Sequence, residues 1–128
     1  MSIVGAHMLF YTSEAEALRT MLRDVFGFKH VDAGGGWLIF ALPPAELGVH
    51  PAEASDQKSA GGHQISFMCD DLAGTIAELN KRGVYFDMGP RKEDFGTIAM
   101  MSLPGNLKVM LYEPHHKTAI TMTKSTAS

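Results

Sequence analysis

One pattern occurs twice in this chain, and it narrows the possible folds more than any other feature. Gly5-Ala6-His7 opens an apolar run, and Gly61-Gly62-His63 opens another. Each run leads into a helix pattern that stops at a glycine, Gly27 in the first copy and Gly83 in the second. His63 follows His7 by 56 residues, and Gly83 follows Gly27 by the same interval. Two copies at this period describe one domain built from two similar modules. The paired histidines become the first place to look for chemistry.

Residues 3–11 alternate as a strand, with His7, Leu9 and Tyr11 on one face and Met8 and Phe10 on the other. Ser13 and Glu16 have the spacing of a capping box. Leu18, Met21, Leu22 and Val25 then share one helix face. Gly27 ends that helix, because glycine takes the left-handed C′ conformation without a Cβ clash. Short strands are expected over 28–32, 37–42 and 46–50. No helix follows Gly34-Gly35-Gly36, so these glycines read as a hairpin turn and not as a phosphate cradle. Residues 52–62 are small and polar and read as the hinge between modules.

The second module opens with a strand over 63–70, placing His63, Ile65, Phe67 and Cys69 on one face. Asp71 is placed to cap a helix whose stripe is Leu72, Ile76 and Leu79. Strands follow over 84–88, 95–103 and 107–113, with Pro104-Gly105-Asn106 as the last turn. On the last strand Leu107, Val109 and Leu111 face one way, and Lys108, Met110 and Tyr112 the other. His115 and His116 read as a solvated tail, and residues 118–128 as frayed chain.

The order is β-α-β-β-β, a hinge, and β-α-β-β-β again. The expected fold class is α+β: two βαβββ modules forming a cupped mixed sheet around a shared cleft, with each helix behind its own sheet. Residues 1–128 make a single domain, with modules at about 3–58 and 60–114 and a C-terminal tail over 115–128. The cleft face is expected to carry His7, Gly48, His50, His63, Met110 and Tyr112.

Composition sets the outer limits. The net charge of −3, from 11 basic and 14 acidic residues, argues against a nucleic-acid surface. The single cysteine, Cys69, has no partner for an internal disulfide. No apolar run is long enough to span a membrane, and no signal-peptide pattern opens the chain. A cytoplasmic protein is the expectation.

The Gly-x-His strand starts, the helix ending Arg23-Asp24-Val25-Phe26-Gly27-Phe28 and the turn Leu103-Pro104-Gly105-Asn106 occur in a telling order. With them the chain resembles the vicinal oxygen chelate superfamily over residues 3–114. That group includes glyoxalase I, the extradiol dioxygenases and the bleomycin-resistance proteins. The resemblance implies a cleft that commonly holds a divalent metal, with His on the first strand of each module and usually Glu on the fourth. His7 and His63 match the histidines. Gly48 and Met110 fall where carboxylates are usual, and neither is a good ligand for Fe, Mn, Zn or Ni. His50, two residues after Gly48 on the same face, completes a three-His set.

Tyr11, Phe67, Met110 and Tyr112 are expected to wall the substrate cavity, with Met100 and Met101 as further apolar lining. Arg91 and Lys92 read as an exposed loop pair, and Cys69 as a buried apolar residue. No catalytic residue is assigned. Two functions fit. One is a divergent metal-dependent lyase or dioxygenase acting on a small molecule. The other is a metal-free binding protein for resistance or sensing. The resemblance also implies a homodimer.

Overall fold

The structure, a computed structural model, describes residues 6–49 and 63–120. The elements in order are α1 (Ala15–Asp24), β1 (His30–Asp32), β2 (Leu38–Phe40), β3 (Ser66–Met68), α2 (Leu72–Lys81), β4 (Tyr85–Lys92), β5 (Gly96–Leu103) and β6 (Leu107–Pro114). The α+β class expected from the sequence is what the chain adopts. β1 and β2 form an antiparallel ribbon. The other four strands make a mixed sheet in the order β3-β6-β5-β4, with β3 parallel to β6 and the remaining pairs antiparallel.

Both helices end where the glycines stop them, Gly27 at φ 70° and Gly83 at φ 92°. Asp71 caps α2 as expected, its Oδ1 accepting the Gly74 N–H at 3.1 Å. The Ser13–Glu16 capping box does not form. Glu14 occupies the N-cap of α1 without a side-chain cap bond. Its carboxylate is engaged elsewhere, accepting the Gly105 N–H at 2.6 Å. Thr12 adds a second tie to the same turn, donating from Oγ1 to the Pro104 carbonyl at 2.7 Å. The β5–β6 turn therefore anchors the start of α1.

Leu18 and Leu22 of α1 join Leu72 and Leu79 of α2 in one core cluster with Met101, Val109 and Leu111 of the sheet. At the far ends of the helices, Arg82 donates from Nη2 to the Asp24 carbonyl at 2.8 Å. Both helices thus lie behind the same face of the four-stranded sheet and leave the other face open.

The first module departs from expectation. Residues 6–11 and 46–49 lie in no strand. A strand persists only within a hydrogen-bonded ladder, and neither segment has such a partner among the described residues. Residues 3–5 and His50, which belonged to those expected strands, lie outside the described residues, as does the hinge over 52–62. β3 is also shorter than expected. β4 is longer and runs through Gly89-Pro90. Pro90 is tolerated because β4 is an edge strand, and its pairing with β5 shifts register on both sides of Met88. Arg91 and Lys92 therefore belong to a strand and not to a loop.

Candidate functional site

Strand register sorts side chains onto the two faces. Phe86, Met101 and Val109 oppose one another across β4, β5 and β6, and all three pack in or against the core. The alternate row is Met88–Met100–Met110, continued on β3 by Ser66. The next row toward Pro114 is Arg91–Ile98–Tyr112–Met68. These two rows lie on the open face. Their centre is built of thioethers and one aliphatic chain. Ile98 is only 3% exposed yet stands apart from the core cluster, as a residue on this opposite face should.

Polar groups close both ends of the face. At one end Lys108 pairs with Asp87 of the β4 bulge and donates to Ser102 Oγ at 3.0 Å. At the other end the Tyr112 ring lies between Phe95 and His116, with centroid distances of 5.7 and 5.8 Å. Its hydroxyl donates to the Phe95 carbonyl at 3.3 Å. Burial, and then the nearby Glu46 carboxylate, push the Tyr112 phenol above its usual range. Gly96 makes room for the Glu113 backbone carbonyl and for this ring: a Cβ there would overlap the first and meet Tyr112 Cε2 at 2.6 Å.

The sequence-predicted residues divide. Met110 and Tyr112 stand on the open face. Phe67 does not: it pairs with Leu111, and its ring packs against Phe10, Phe26 and Phe28 at 6.5, 5.8 and 5.5 Å. That is the helix side of the sheet, so Phe67 is a core residue and not cavity wall. Phe67 keeps the face it shares with Cys69, and pairing with Leu111 turns that face to the core. Met101 is likewise core, with no exposed surface, while Met100 faces the open side. Tyr11 is 84% exposed, so it walls no enclosed cavity among the described residues.

His7 and His63 are both exposed. The Phe10–Phe67 contact brings their two segments side by side, but among the described residues no hydrogen bond, ion pair or ring contact joins the imidazoles. His50 lies outside those residues. Among the described residues no three His, Cys, Asp or Glu side chains gather as a metal site. The described donors do not fit a metal of the usual kind, since Met110 offers a thioether and Gly48 offers nothing. Glu113 turns away to accept the Leu72 N–H at 2.9 Å. Burial pushes the Cys69 thiol up to about 11, which leaves it unreactive at neutral pH.

Two contributors escaped the sequence reading. Glu46 accepts the Ala119 N–H at 2.8 Å and lies 3.9 Å from His116 Nε2. His115 is equally engaged, its N–H donating to the Phe95 carbonyl at 2.9 Å and its Nε2 3.3 Å from Glu113. These histidines are not a free tail. A separate groove of about 310 Å³ runs along the β1–β2 ribbon, lined by Lys29, His30, Val31, Ile39, Phe40 and Ala41.

The profile of the Glyoxalase/Bleomycin resistance protein/Dioxygenase superfamily matches residues 6–116. The chain belongs to this superfamily. Among solved structures it is similar to TnmS3, an antibiotic binding protein from Streptomyces sp. CB03234, at 23% identity and a TM-score of 0.59, covering 89% of this chain and 99% of that one. It is similar to UcmS2 at 18% identity and a TM-score of 0.59, covering 88% and 98%. Lactoylglutathione lyase from Agrobacterium tumefaciens has the same TM-score of 0.59 at 14% identity, covering 88% and 95%. At these identities the likeness is one of fold. No curated protein matches the chain by sequence.

Proposed function

We propose that this member of the glyoxalase superfamily binds a small, flat, largely apolar organic molecule on the open sheet face, without a metal. The observation that carries the reading is the row Met88–Met100–Met110 across three adjacent strands. Unbranched thioethers adapt to a ligand's outline and make favourable sulfur–aromatic contacts. Tyr112 extends the apolar floor over the buried Ile98, and the polar ends supply the few orienting groups that such sites use. An antibiotic-binding protein among the similar folds supports this class of ligand. The test is titration with an apolar fluorescent dye, 8-anilinonaphthalene-1-sulfonate. Met110→Asp should weaken dye binding at least tenfold. Undiminished binding would place the site elsewhere.

A metal-dependent enzyme is the second reading. It rests on His7 and His63, exposed and carried by adjacent segments. Such a site needs His50 as its third ligand. Metal analysis of tag-free protein tests it: His7→Ala, His63→Ala and His50→Ala should each remove a stoichiometric metal.

The proposed assembly is a homodimer. Leu47 and Val49 are 91% and 92% exposed, and Val31 and Trp37 add further apolar surface on the first module. A second copy would cover it. Light scattering at micromolar concentration decides between monomer and dimer.

A further inference from the structure

The geometry points to a strap: residues 115–120 close the Tyr112 end of the ligand face, and Glu46 is the residue that latches them. This rests on the ligand-face reading above for what the strap closes, but not for the latch itself. After β6 the chain turns back rather than leaving the molecule. His115 N–H donates to the Phe95 carbonyl at 2.9 Å, extending the β5–β6 pairing by one residue before the chain bends at His116. The His116 ring then lies 5.8 Å from that of Tyr112, whose side chain is on the open face. Ala119 N–H reaches Glu46 Oε1 at 2.8 Å, across 73 residues of sequence.

Glu46 thereby joins the first module to the end of the chain. Its second oxygen, Oε2, faces His116 Nε2 at 3.9 Å. His116 Nδ1 is 2.8 Å from the Lys117 carbonyl. A carbonyl only accepts, so Nδ1 carries the proton, and the ring is held with Nε2 toward the carboxylate. The Ala119 N–H is thus the bond by which the Glu46 carboxylate holds the strap, with the His116 ring lying beside it. A ligand reaching Tyr112 from this end must displace the strap or fit beneath it.

The test uses the full chain and two variants. Glu46→Ala removes both contacts. Glu46→Gln keeps an acceptor for the Ala119 N–H and removes the charge. Amide exchange followed by NMR should show Ala119 exchanging about tenfold faster in Glu46→Ala, the worth of one hydrogen bond, and near the parent rate in Glu46→Gln. Equal exchange in the parent and Glu46→Ala would overturn the latch. Stopped-flow mixing with 8-anilinonaphthalene-1-sulfonate should show a severalfold faster association rate in Glu46→Ala alone. An equal acceleration in Glu46→Gln would trace the effect to charge and overturn the closure. Dye binding indifferent to Met110→Asp would overturn the ligand-face reading, while the exchange result still decides the latch.

Discussion

The carboxylate of Glu113 accepts the backbone N–H of Leu72 at 2.9 Å, tying the end of β6 to the first turn of α2. The one acid on the last strand therefore serves the back of the sheet. Leu72, 2% exposed, sits at a helix start where N–H groups have no intrahelical partner. Glu113 supplies one such partner from a distant strand, beside the Asp71 cap.

Removing that bond should cost stability and leave the methionine row of the open face intact, although the Glu113 carboxylate also stands 3.3 Å from His115 Nε2. Glu113→Ala is expected to lower the unfolding free energy by about 1–2 kcal/mol, the usual worth of a helix-start acceptor. Glu113→Gln keeps an acceptor oxygen and should lose less. Urea unfolding measures both, and dye binding on the other face should be unchanged.

Neighbouring methionines should separate the two faces. Met101 is fully buried, so Met101→Ala leaves a cavity and should cost about 2–5 kcal/mol. Met100 looks outward from the same strand. Its truncation to Ala should cost under about 1 kcal/mol and weaken dye binding instead. Similar losses of stability at both positions would contradict the assignment of faces.

The parts of this fold legible in sequence were those set by local chemistry. Gly27 and Gly83 stop their helices because the left-handed conformation they supply is a property of the residue. Asp71 caps α2 for the same kind of reason. The alternation of Leu107, Val109 and Leu111 against Met110 and Tyr112 held because β6 is paired along its whole length. What failed depended on distant partners. Phe67 shares a face with Cys69 as alternation requires, but only the pairing with Leu111 decides that this face is the core. Glu14 leaves its own helix for Gly105, ninety-one positions away. Glu46 looks like a surface residue until residues 116–119 return to meet it. No periodicity announces such a contact.

Cys69 supplies a pH test of its own burial. A thiol raised to about 11 by desolvation holds roughly one part in 10⁴ as thiolate at pH 7. The sign is fixed by the protonated form being the one the fold favours, so reactivity should appear only as pH climbs toward 11. Iodoacetamide labelling of the folded protein should be far slower than that of the urea-unfolded chain at pH 8, and the gap should narrow above pH 10. Rapid labelling of the folded protein at pH 8 would show an accessible thiol.

Tyr112 reports on Glu46 directly. Its phenol is raised first by burial and then by the negative field of the Glu46 carboxylate. Glu46→Gln removes the second cause and keeps the first. The Tyr112 titration should therefore move down in pH while staying above the ordinary phenol range. Tyr11 and Tyr85 are 84% and 67% exposed, so subtracting the absorbance titration of Tyr112→Phe isolates the signal. Gly96→Ala attacks the burial instead, since a Cβ would overlap the Glu113 backbone carbonyl and stand 2.6 Å from Tyr112 Cε2, shifting the strand end together with the ring. In that variant the midpoint should fall as well, together with loss of the Phe95 carbonyl contact made by the hydroxyl. An unmoved midpoint in Glu46→Gln would mean that carboxylate and phenol do not sense each other, and that Glu46 does not sit at this end of the ligand face.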